Sequence, residues 1–123
     1  MKNNIKITVK VVPLEQQTIP FKSQYAFSYT ITISNQGEVG AQLLSRHWII
    51  QDETNHIEEV AGEGVIGMQP HLLPGEAFEY TSGSVIKTPT GTMKGEYSMV
   101  SDTGEHFNIE IPEFVLSEPY TLQ

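Results

Sequence analysis

Apolar and polar residues alternate along most of this chain with a period of two. Ile5, Ile7, Val9 and Val11 share one face of an extended segment, with Lys6, Thr8 and Lys10 on the other. That is the pattern of a strand with one face buried and one in water. In a second segment Tyr25, Phe27, Tyr29, Ile31 and Ile33 alternate with Ala26, Ser28, Thr30 and Thr32, and Asn35-Gln36-Gly37 ends the run as a turn. Further β segments are predicted at residues 42–51, 56–60, 76–86, 92–101 and 105–116, the last interrupted by Pro112. Glu53-Thr54-Asn55 and Asp102-Thr103-Gly104 are short polar links between them, and Gly104 can supply the positive φ of a bulged hairpin turn. No window sustains a 3.6-residue apolar period, and Pro or Gly interrupts most windows long enough for a helix.

Seven to eight short strands separated by turn signals predict an all-β fold, an antiparallel β-sandwich or barrel, with the sandwich favoured at this length. The 123 residues suit a single domain spanning 1–123. The segment Ile19-Pro20-Phe21-Lys22-Ser23 is too short to link two domains, and Pro119-Tyr120-Thr121-Leu122-Gln123 is expected to trail off as a loose C-terminus.

Charge narrows the partners. Seven Lys+Arg against 15 Asp+Glu give a formal charge of -8, and nothing basic follows Lys94. Such a balance repels a nucleic-acid backbone, so no nucleic-acid partner is expected. There are no cysteines, which removes disulfides, thiolate metal sites and cysteine nucleophiles. The start Met1-Lys2-Asn3-Asn4-Ile5-Lys6 lacks an apolar leader core, and no stretch approaches the roughly 20 apolar residues that span a bilayer. A cytoplasmic protein without membrane insertion is the expectation.

The one motif with a chemical reading is Gly62-Glu63-Gly64-Val65-Ile66-Gly67, a literal G-x-G-x-x-G. In a dinucleotide fold it would leave a strand and open a helix whose N-terminus meets the pyrophosphate. Pro70, Pro74 and Gly75 argue against that helix, and Lys87 stands about where the ribose-binding carboxylate belongs. Two readings remain: a glycine-bent strand, or a tight turn whose N–H groups cup an anion. An anion site would use Gly62, Gly64 and Gly67 with a nearby cation from Arg46, Lys87 or Lys94; Arg46 is favoured for its bidentate fork.

Other constellations are weaker. His47, His56, His71 and His106 show no ligand spacing, so no metal site is assigned, and Trp48 beside His47 is expected in the core. Thr81-Ser82-Gly83-Ser84 is not a nucleophile elbow. Glu58 and Glu59 point to opposite faces of a strand and so do not form an acid/base pair. No enzyme and no cofactor are expected.

An ordered series of residues does resemble a known family. Arg46-His47-Trp48-Ile49-Ile50, the glycine run continued through Met68-Gln69-Pro70, Leu73-Pro74-Gly75-Glu76, Tyr80-Thr81-Ser82-Gly83, and Thr88-Pro89 with Gly91, Met93 and Gly95 look like the bacterial ApaG family. The resemblance runs from the first strand to Ile111-Pro112-Glu113-Phe114. It implies a fibronectin type III-like (immunoglobulin-like) β-sandwich, an association with cobalt resistance and magnesium efflux, and a pyrophosphate-binding role for Gly62, Gly64 and Gly67. Related domains in eukaryotic F-box and polymerase-interacting proteins look like protein-interaction modules. The expected function is therefore a non-enzymatic interaction domain acting through an unidentified protein partner. The alternatives are a binder of a phosphate-containing small molecule and a direct divalent-cation binder.

Overall fold

The alternating segments pair into antiparallel sheets. The computed structural model of the chain describes residues 3–117, so the C-terminal pentapeptide lies outside the described residues. Eight strands follow one another: β1 (Ile5–Pro13), β2 (Tyr25–Asn35), β3 (Ala41–Asp52), β4 (Ile57–Glu63), β5 (His71–Leu72), β6 (Ala77–Ile86), β7 (Thr90–Ser101) and β8 (His106–Ser117). Short 3-10 turns at Glu15–Gln17 and Pro20–Lys22 fill the β1–β2 connection. One sheet has the order β1-β2-β6 and the other β4-β3-β7-β8, with the two-residue β5 pairing β3 on the same edge as β4. A three-stranded sheet facing a five-stranded one in these orders forms a fibronectin type III-like sandwich. Among the described residues no helix is long and apolar enough to cross a membrane.

The period-two pattern explains the layers. In β2, Phe27, Tyr29, Ile31 and Ile33 are buried, and from the opposite sheet Leu43, Trp48, Ile50, Met93, Tyr97, Met99, Ile111 and Leu116 meet them in one core. Trp48 lies at the centre of a ring cluster, with Tyr29, Phe114 and Tyr97 at 5.4, 5.9 and 6.4 Å, each in edge-to-face contact. The expected core role of Trp48 holds.

Two strand boundaries differ from the sequence expectation for physical reasons. β8 runs straight through Pro112, because the β7–β8 register slips between Met93 and Gly95. Pro112 and Glu113 together oppose the single residue Lys94, and a bulge tolerates a residue without an N–H. β4 extends past Val60 to Glu63, so Gly62 lies in the strand as the cross-strand partner of Arg46. The two-residue β5 is too short to leave any periodicity in the sequence.

One polar tie crosses the core between the sheets. The hydroxyls of Tyr80 on β6 and Tyr97 on β7 lie 2.5 Å apart, and both side chains are buried. Burial raises the Tyr80 phenol to about 12, opposed by the hydrogen bond from Tyr97. Tyr97 is pushed up further, first by burial and then by the neighbouring Tyr80.

Two outcomes follow for stability. Tyr80→Phe or Tyr97→Phe alone leaves one buried hydroxyl unpaired and costs about 1–3 kcal/mol in urea unfolding, whereas the double Phe variant loses less than the sum of the two. Because folding raises these phenols above their ordinary value of 10.0, the unfolded chain ionises first, and stability falls as pH rises past 10.0. In the double Phe variant that alkaline loss shrinks.

Candidate functional site

The glycine run leaves the end of β4 and makes a small loop before β5 returns to the same edge of β3. Its base is clamped onto a bulge in β3, where the β3–β7 register shifts between Leu43 and Ser45. The carbonyl of Leu44 accepts the Gly64 N–H at 2.8 Å and the Gln69 side-chain amide at 2.9 Å. Pro70 accepts the Leu43 N–H, and Gln42 donates its side-chain amide to the Gln69 carbonyl at 3.0 Å. Val65 plugs the loop into the core at 1% exposure.

The tip is a two-residue turn. Val65 and Met68 exchange backbone hydrogen bonds of 2.8 and 2.9 Å around Ile66 and Gly67, which have φ of 44° and 77°. Two consecutive positive φ values match the type I′ hairpin turn, which strands favour because its twist agrees with theirs. Gly64 also has a positive φ, 63°, and a Cβ there would lie 2.2 Å from the Met68 carbonyl oxygen. The glycines are thus explained by backbone geometry, and no helix follows them.

Arg46 is held at this run. Its Nη1 donates to the carbonyls of Glu63 and Gly64 at 3.1 and 2.9 Å, and its guanidinium lies against Gly62, where a Cβ would approach Nη1 to 3.0 Å. The cation therefore faces carbonyl oxygens. The N–H groups of Gly64, Val65 and Met68 are spent on backbone partners, which leaves those of Ile66 and Gly67 at the tip. Of the candidate cations, Arg46 meets the glycines, whereas Lys87 lines a cleft of about 120 Å³ with Ile50, Asp52, His56 and Val85. That cleft lies at the Asp52 end of β3, six residues or roughly 20 Å of strand from Arg46. The structure brings Arg46 to the glycines and leaves Lys87 apart.

The remaining titratable side chains are dispersed. His47 pairs with Glu59 at 2.9 Å and His71 with Asp102 at 2.8 Å. Asp52 Oδ1 accepts from Thr54 N, Thr54 Oγ1 and His56 N, closing the β3–β4 turn. The Thr54 hydroxyl bond holds its carboxyl below the ordinary range, against burial, which raises it. Among the described residues no group of three or more His, Asp or Glu side chains could hold a metal ion.

Sequence reading missed the clamp of Gln42, Gln69 and the Leu44 bulge, and it missed the exposed tip. Ile66 and Met68 are 56% and 50% exposed. The available signal for the tip was a β-branched residue directly before Gly67, where a two-residue hairpin turn calls for Asn or Asp.

Comparison with known proteins gives a consistent result. The family profile described as ApaG domain matches residues 15–101. Protein ApaG of Dechloromonas aromatica is 55% identical over 122 residues, covering 98% of this chain and 96% of that protein. Protein ApaG of Ralstonia nicotianae is 54% identical over 118 residues, covering 96% and 95%. A crystal structure of a Bordetella pertussis protein described as ApaA superposes with a TM-score of 0.93 at 45% identity, covering 95% of each chain.

The two turn glycines should separate by mutation. Gly64→Ala meets both the Met68 carbonyl and an unfavourable φ, and loses about 2–3 kcal/mol in urea unfolding. Gly67→Ala has nothing within 4 Å of the new Cβ and pays only for its φ, about 1 kcal/mol. Equal losses would contradict the role given to the Met68 contact.

Proposed function

The chain belongs to the ApaG domain family, and from that premise we propose that it is a non-enzymatic binding domain that docks a cytoplasmic protein partner on the loop tip at residues 65–68. Through that partner it acts in cobalt resistance and magnesium efflux. The observation that carries this reading is Ile66. A β-branched residue in the left-handed region costs about 1–2 kcal/mol, which Asn or Gly at the same turn position would relieve. Instead the turn spends stability to hold an isoleucine outward, with Met68 beside it. Strain of this kind, retained at an exposed apolar site, is characteristic of a contact surface.

Two further features support a protein partner over the other readings. The N–H groups of Gly64 and Val65 in the glycine run, that of Met68 beside it and one guanidinium nitrogen are already occupied by backbone atoms, which disfavours an anion cradle. His47 and His71 each meet a single carboxylate, Glu59 and Asp102, on different parts of the fold, which favours an indirect link to metal over direct coordination.

The test is affinity capture from native lysate, followed by titration of the captured protein against the wild-type chain and Ile66→Asn. Ile66→Asn should raise unfolding stability by about 1 kcal/mol while weakening binding at least about tenfold. Equal binding by both would sink the assignment of the tip. Calorimetry with pyrophosphate should give no heat; a heat that Gly64→Val abolishes would favour the anion reading instead.

A further inference from the structure

Among the described residues nothing requires a glycine at position 83. Its φ is not positive, and a Cβ there would meet only the Phe27 carbonyl oxygen, at an ordinary 3.4 Å. Yet Gly83 sits in the interior of β6, where glycine weakens a strand and often marks close approach by another backbone. Among the described residues β6 is the last strand of its sheet and pairs only with β2.

Hydrogen-bond parity shows what this edge offers. The Asn35 N–H donates to the Glu76 carbonyl, and the β2–β6 register continues from that pair. Even-numbered residues of β6 therefore bond to β2, while Ala77, Glu79, Thr81, Gly83 and Val85 turn their N–H and C=O groups outward. The same five residues are exposed on the outer face.

The other three edges are defended in ways this one is not. β1 carries Lys6, Lys10 and Pro13 and contacts β8. β8 carries Pro112 and the bulge, and β4 is seven residues long with Glu58, Glu59 and Glu63. Charges, prolines and bulges are the usual devices against edge pairing. β6 has ten residues, no proline and one charge, Glu79.

We propose that β6 pairs antiparallel with β6 of a second copy about a two-fold axis at Thr81. This register sets Glu79 opposite Gly83 of the copy, so each carboxylate faces a residue with no side chain to clash with it. Ala77 meets Val85, an apolar pair, and Thr81 meets Thr81. The Thr30 hydroxyl lies 2.8 Å from that of Thr81, so the threonine row runs on through both copies. A register centred on Glu79 would oppose two carboxylates. A basic partner strand has little to recognise along β6 itself, whose one carboxylate is Glu79. The pairing uses no residue of the loop tip and stands independently of the function assigned to it.

The chain has no cysteine, so an introduced one reports on its own position. Sedimentation equilibrium of the full chain should show a monomer–dimer equilibrium. Gly83→Glu, which opposes like charges at two symmetric places, should weaken it about tenfold, and Gly83→Lys should not. Thr81→Cys should form a covalent dimer on mild oxidation, since bonded antiparallel partners lie about 5.5 Å apart. Val85→Cys, which faces Ala77, should not. A chain that stays monomeric up to about 1 mM overturns the proposal, and so do equal effects of the two Gly83 substitutions or equal cross-linking at both cysteine positions. Should either Gly83 variant fail to fold by circular dichroism, the comparison of the two cysteine variants decides alone.

Discussion

Two sheets of unequal width must close over one core, and the contact that sets how they close is the ring cluster around Trp48. Tyr29 and Phe114 reach it from β2 and β8, and Tyr97 from β7. Tyr97 also carries the hydroxyl that meets Tyr80 on β6, so the same cluster joins both sheets by apolar area and by one buried hydrogen bond. A misplaced sheet would leave two phenols desolvated without partners, each at a cost comparable to a large share of a small domain's net stability. The hydroxyl pair therefore adds direction to burial that is otherwise non-directional.

With the sheets fixed, the behaviour of the edges follows. Side chains alternate, so a one-residue slip would send the buried set of β2 into water, and the registers are held firmly. The two slips that do occur are both put to use. At Met93/Gly95 the slip accommodates Pro112, and at Leu43/Ser45 it presents the Leu44 carbonyl to the loop that carries the glycine run. Arg46, two residues along, then fills the carbonyls of Glu63 and Gly64. The run is thus held from below by β3, and its backbone is committed to the fold almost to the tip.

Most of the sandwich was legible because burial on one face leaves a period of two. Ile5 to Val11 and Tyr25 to Ile33 needed nothing more, and Trp48 declared itself as core by size. What stayed hidden had no periodic signature. The clamp by Gln42 and Gln69 depends on residues 27 apart meeting across the edge of β3. The partners of Tyr80 and of His71 lie on other strands or turns, 17 and 31 residues on. The run of three glycines was visible as a motif, but whether its N–H groups were free depended on the Leu44 bulge, which no local pattern announces. Arg46 lies beside the glycines, and that it faces their carbonyls depends on the same loop geometry.

The two features the fold does not require lie on different sheets. Ile66 hangs from the β4-β3-β7-β8 sheet, and Gly83 belongs to the edge of the β1-β2-β6 sheet. Each departs from what local stability prefers: a β-branched residue where Asn or Gly would relax the turn, and a glycine where a side chain would fit the strand. Because pairing at β6 consumes neither the backbone nor the side chains of the tip, a two-fold dimer would carry two free tips. A weak apolar contact at each tip then becomes effective against a partner that is itself repeated, since the second contact forms at the high local concentration set by the first. An acidic chain of charge -8 gains from such an arrangement. It need not form one large interface against its own repulsion, only a backbone-paired edge with its carboxylates spaced apart and two small apolar contacts at Ile66 and Met68.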